Sequence, residues 1–104
     1  MNREEFKVLV MLYAANIDGN INPDEVDAIL EKVDSNTFKN VKKMFAKMSD
    51  IEILNSINEN KRSFASTDTE REILINDCRT IINADGQQTV MEGFIVKMLE
   101  KVLN

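Results

Sequence analysis

The stretch Asn16-Ile17-Asp18-Gly19-Asn20-Ile21-Asn22-Pro23-Asp24-Glu25 has a counterpart in Asn83-Ala84-Asp85-Gly86-Gln87-Gln88-Thr89-Val90-Met91-Glu92. Both copies place Asn two residues before an Asp-Gly pair and Glu at the same distance after it, at an offset of 67 residues. A strongly apolar segment precedes each copy, Phe6 to Ala15 before the first and Ile73 to Ala84 before the second. Gly19 and Gly86 supply the left-handed residue that stops a helix, and Asp18 and Asp85 favour the turn by bonding nearby backbone. Asn22 or Thr89, three residues before its Glu, then starts the next helix with a capping box. The chain therefore reads as two helix–turn–helix units, an internal pseudo-repeat with an expected pseudo-twofold relation.

Outward from these units the periodicity stays helical. Val26, Ile29, Leu30 and Val33 form one stripe, and Phe38, Val41, Met44, Phe45 and Met48 another. A third runs through Val90, Phe94, Ile95, Met98, Leu99, Val102 and Leu103, and Ile51, Leu54 and Ile57 mark a shorter helix with Ile53 off its stripe. Capping pairs recur at Asn2…Glu5, Ser49…Glu52 and Thr67…Glu70, Pro23 suits a first helical position, and Asn36 is the expected cap of the third helix. The spacing predicts six helices near 3–16, 23–33, 37–48, 50–59, 68–84 and 90–103, with residues 60–67 as the longest connection. The two broadly apolar segments, wider than one stripe, are expected to be central. The fold class is all-α, a single domain over 1–104, with no period-2 strand.

Composition narrows the function. The 104 residues are 43% hydrophobic and 30% charged, as in a globular protein with one core. There is no histidine, which removes Ser-His-Asp and Cys-His catalysis and imidazole zinc sites. The single Cys78 cannot form an internal disulfide, so a reducing compartment fits and a cytoplasmic location is expected. The net charge of −5 argues against nucleic-acid binding, and the apolar run Val8–Ala15 is far too short to span a membrane. No arrangement for acid–base or nucleophilic catalysis emerges, and a non-enzyme is expected.

The repeated motif has two chemical readings. An EF-hand loop carries oxygen ligands at alternate positions, Gly at the sixth and a bidentate Glu at the twelfth. With Gly19 sixth, Asn16, Asp18, Ile21 and Glu25 fall in place, but Ala14 takes the first position, as Ile81 does in the second copy. That loss removes tight calcium binding and leaves a weaker oxygen site, for Ca2+ or Mg2+ before zinc or copper. The other reading is helix stop and helix start alone, which accounts for every residue of the motif. Geometry separates one site from two. If the central helices run antiparallel the turns lie at opposite ends, about 20 Å apart for a fourteen-residue helix. If they run parallel, four carboxylates come to one end.

Charge is also segregated. Lys39, Lys42, Lys43 and Lys47 occupy i, i+3, i+4 and i+8 of the third helix with no acid between Thr37 and Met48. This is either a solvated face or a docking surface for an anionic partner or a membrane surface, and it lacks interleaved aromatics for base stacking. Met11, Met44, Met48 and Met98 lie on apolar stripes and read as core, whereas Met91 is expected near the surface. Cys78 reads as buried packing, and Tyr13 is expected to satisfy a buried acceptor.

At its paired Asp-Gly turns, each followed by Glu on the next helix, the chain resembles the TerB-like family, named for a tellurite-resistance protein. The same domain type occurs in a membrane-anchored DnaJ-type co-chaperone. The resemblance runs from about Phe6 to Leu103. It implies a compact multihelical fold around two central helices and a surface acidic cluster that binds divalent metal or a partner protein. Position by position it points to Asp18, Glu25, Asp85 and Glu92. The second copy departs at Gln88, where the first has Ile21 and family members often carry a small aliphatic residue. The functions implied are a non-enzymatic binding module in stress or membrane-surface processes, or an interaction domain whose motifs are caps only.

Overall fold

The computed structural model describes residues 1–17, 21–83 and 91–104, the side chains of Met91 and Glu92 excepted. Six helices follow one another among them: α1 (Arg3–Asn16), α2 (Pro23–Lys32), α3 (Ser35–Ala46), α4 (Asp50–Phe64), α5 (Asp68–Ile82) and α6 (Met91–Leu103). The all-α expectation is met, and no described residue lies in a strand.

The helix starts form where the capping chemistry places them. Asn2, Asn22 and Ser49 each accept a hydrogen bond from the backbone N–H of Glu5, Glu25 and Glu52, and each Glu carboxylate accepts one back. Two orphan donors are thereby satisfied per helix, an arrangement whose loss costs about 1 kcal/mol. Thr67 caps α5 through the Glu70 N–H, and the Glu70 side chain bonds Arg3, Ser66 and Thr67 instead of closing a box. The third helix differs from expectation. Asp34, not Asn36, is its cap, accepting from the N–H groups of Asn36 and Thr37, so α3 begins at Ser35. Its carboxylate reaches two donors where an Asn at 36 would reach neither.

The core is built on α1. Phe6, Val8, Leu9, Val10, Met11, Leu12, Ala14 and Ala15 are all at or below 1% exposure, so this helix is enclosed on every side. It packs against α2, α3, α4 and α5. Burial of each larger side chain contributes about 1.5–3 kcal/mol, which makes α1 the principal source of stability. The second broadly apolar helix, α5, packs on α1, α2 and α6. It buries Leu74, Cys78 and Ile81 and leaves Ile73 58% exposed, so its apolar arc is not wholly covered.

Helix α4 corrects two expectations. It continues to Phe64, so the connection placed at 60–67 shrinks to Ala65, Ser66 and Thr67. Phe64 rests on Phe6, ring centroids 5.6 Å apart, and this tertiary contact holds the last turn of a segment whose own sequence is polar. Its buried face is Ile53 and Ile57, whereas Ile51 is 71% exposed and Leu54 36%. The apolar stripe of α4 thus starts on the residue placed off it. Among the methionines, Met11 is buried and Met48 packs at the edge of the core, but Met44 is 38% exposed and is not core.

Candidate functional site

Ion pairs fix the relative course of the helices. Arg3 Nη1 lies 2.8 Å from Glu70 Oε2, and one turn on, Lys7 Nζ lies 3.2 Å from Asp77 Oδ2. Advancing along α1 means advancing along α5, so the two helices run parallel. Helix α2 returns in the opposite sense: Lys32 at its end reaches Asp77 Oδ1 at 3.2 Å, and the N–H of Asp34 donates to Glu4 Oε1 at 2.6 Å. Glu100 and Asn104 at the end of α6 line a cleft with Asp68, Arg71 and Glu72 at the start of α5, so α6 also runs back. The last turns of α1 and α5 and the first turns of α2 and α6 therefore share one end of the molecule. Of the two geometries left open by the sequence, this is the parallel one.

The candidate ligands are unequally placed. Asp18 and Asp85 lie outside the described residues, as does the side chain of Glu92. Glu25 is the one candidate described, and it is 3% exposed, the sole buried charged residue among those described. It stands in the first turn of α2, its N–H donating to Asn22 Oδ1 at 2.9 Å while its Oε1 accepts the Asn22 N–H at 3.0 Å. Glu5 and Glu52 make the same box without being buried. The cap does not itself require burial. Among the described residues no group of three or more Asp, Glu, Cys or His side chains gathers to hold a metal.

Lys39, Lys42, Lys43 and Lys47 are all exposed on α3 and its C-cap, and no ion pair among the described residues engages them. Lys42 Nζ sits 5.7 Å over the Phe38 ring. Cys78 is fully buried, and burial, reinforced by Asp77 and opposed by Lys7, pushes its thiol far above the ordinary value. It is held as the neutral thiol and is no nucleophile. Burial, then the neighbouring Asp50 charge, raises Tyr13. Among the described residues the Tyr13 hydroxyl bonds no acceptor, so its expected role is not fulfilled there. Asn83, which matches Asn16 in the repeat, ends α5 with its Oδ1 buried and without a hydrogen-bond partner.

One feature escaped sequence reasoning. Asp77 accepts Lys7 and Lys32 on its two oxygens and so ties α1, α2 and α5 together. No local pattern announces it, since its partners lie in two other helices. No helix of the described residues is long and apolar enough to cross a membrane. No family model, curated protein or solved structure matches the chain.

Proposed function

We propose that this chain is a non-enzymatic TerB-like module whose Asp-Gly turns bind calcium or magnesium weakly and present a docking site for a partner protein, in a stress or membrane-surface setting. The observation that carries this reading is the parallel course of α1 and α5, the two helices that lead into the repeated Asp-Gly motif. The shared end of α1 and α5 favours one composite site over two. Titration of calcium, then magnesium, into metal-free protein tests it by calorimetry. Saturable heat with a dissociation constant near 0.1 mM, roughly, accompanied by a rise in melting temperature, supports the site. Heats unchanged by Asp18→Ala with Asp85→Ala remove it.

A second reading, an interaction or oligomerisation domain whose motifs are caps only, is favoured by the identical boxes at Asn2–Glu5 and Ser49–Glu52, where no Asp-Gly turn is present. Under it Glu25→Gln lowers the melting temperature by the equivalent of about 1 kcal/mol and leaves the ion titration unaltered.

A further inference from the structure

The ends of α4 and α6 and the start of α5 enclose a cleft of about 430 Å³, remote from the last turns of α1 and α5. Lys61, Arg62 and Arg71 line it, with Glu59 the sole acidic side chain of the lining, in a chain whose net charge is −5. Two of these cations are held by groups that do not neutralise them. Half-buried Lys61 donates from Nζ to the Val102 carbonyl at 3.4 Å, and Arg71, its side chain 22% exposed, donates from Nη1 to the Ala65 carbonyl at 3.2 Å. A carbonyl oxygen accepts a hydrogen bond but carries no full charge. Arg71 also meets Asp68, whose side chain is 98% exposed and screened by water. No ion pair among the described residues engages Lys61 or Arg62.

We infer that this cleft binds the phosphate group of a small soluble molecule. The charge of the lining chooses an anion, and three cations against Glu59 suit a phosphate, close to doubly charged at neutral pH, better than a single carboxylate. The guanidinium forks receive phosphate oxygens in pairs, and the ammonium of Lys61 adds a point charge with protons left over from its bond to Val102. The cations converge from α4 and α5 on a concavity whose volume is that of a small-molecule site, and the carbonyl bonds fix two of them before any ligand arrives. The cleft stands apart from the Asp-Gly turns, so this inference is independent of the cation reading.

The test is titration of the isotopically labelled full chain with inorganic phosphate and, separately, with glycerol 3-phosphate, at an ionic strength held constant with sodium chloride. Backbone amide shifts report both the affinity and the place, and the two arms separate free phosphate from an ester. Saturable shifts are expected around Lys61, Arg62 and Arg71 and not along α3. Lys61→Gln with Arg62→Gln should weaken binding at least about tenfold, and Glu59→Gln, which removes the opposing charge, should strengthen it. Lys39→Gln with Lys43→Gln makes the same change in net charge elsewhere and should leave the affinity unchanged. Melting curves confirm that each variant is folded, and Arg62→Gln alone, at an exposed side chain, gives a reading should the double variant fail to fold. Shifts that do not saturate, equal weakening in the two double variants, or acetate bound as tightly as phosphate overturns the proposal.

Discussion

Arg3 and Glu70 touch at 2.8 Å, and they stand 67 residues apart, the offset of the two Asp-Gly motifs. Equivalent positions of the two units thus face one another across the molecule. Antiparallel helices could bring only one such level together. Here the contact is at the start of both helices and is followed by Lys7 with Asp77, so the two helices run side by side in the same direction. The 67-residue offset of the motifs and the ion pair between the two helices are two expressions of one arrangement.

Asp77 should matter more to stability than Arg3. Its carboxylate is 17% exposed and holds Lys7 and Lys32, themselves 32% and 27% exposed, whereas Arg3 is 67% exposed. Asp77→Ala is expected to cost about 1–2 kcal/mol, because two partly covered pairs are lost together, and Arg3→Ala less than about 0.5 kcal/mol. Urea unfolding measures both. Equal losses would mean that the ties between α1, α2 and α5 are carried by packing alone.

Acid should unfold the protein in part through two capping glutamates. The Ser49 backbone and side-chain hydrogen bonds hold Glu52 below the usual carboxylate range, and the hydrogen bond from Arg3 does the same for Glu70, with help from Ser66 and Thr67. A depressed folded value means that these groups stabilise the protein above the ordinary glutamate value and lose that contribution as the pH falls through the folded one. Glu52→Gln with Glu70→Gln is therefore expected to be less stable than the parent at pH 7, roughly, and to show a flatter decline toward pH 3, approximately. Denaturation midpoints across that range decide it, and parallel curves would remove these two residues from the acid transition.

Cys78 should react only when the fold opens. It is fully buried and its thiol is pushed up by desolvation, so almost no thiolate is present in the folded protein. A raised folded value contributes stability that is present below the free thiol's 9.0 and fades as the pH rises past it. Labelling with a chromogenic disulfide reagent is expected to follow the opening equilibrium, with the rate rising as urea approaches its midpoint. Fast labelling in native buffer would contradict the placement of α5 against α1. Cys78→Ser should cost about 1–3 kcal/mol, because the new hydroxyl has to find a partner inside the core.

What could be read from the residues divides along physical lines. The capping pairs at Asn2, Asn22, Ser49 and Thr67 are local, since cap and Glu lie within one turn, and each start was legible for that reason. The enclosure of α1 was legible because apolar residues on every side of one helix demand neighbours on every side. The end of α4 was not, because Asn58-Glu59-Asn60-Lys61-Arg62 offers no stripe and the last turn depends on Phe64 meeting Phe6 from another helix. The site was legible only as a motif. Spacing pointed to Glu25 but not to its burial, because the same capping box leaves Glu5 and Glu52 outside the core.

The register of α4 gives the sharpest contrast between pattern and packing. Ile51, Leu54 and Ile57 satisfy a helical stripe as well as Ile53 and Ile57 do, because a short segment with four apolar residues fits two adjacent faces. The face that wins is the one that also presents Phe64, since Ile53, Ile57 and Phe64 fall on a single side separated by four and seven residues. Ile53 is 3% exposed and Ile57 is fully buried, so Ile53→Ala is expected to cost about 2–4 kcal/mol through lost transfer energy and the cavity left behind. Ile51→Ala, at a position 71% exposed, should stay within about 0.5 kcal/mol. If Ile51→Ala destabilised the fold as much as Ile53→Ala, α4 would be rotated by about one residue, 100° on the helical wheel, and the corner formed by α3 and α4 would have to be rebuilt.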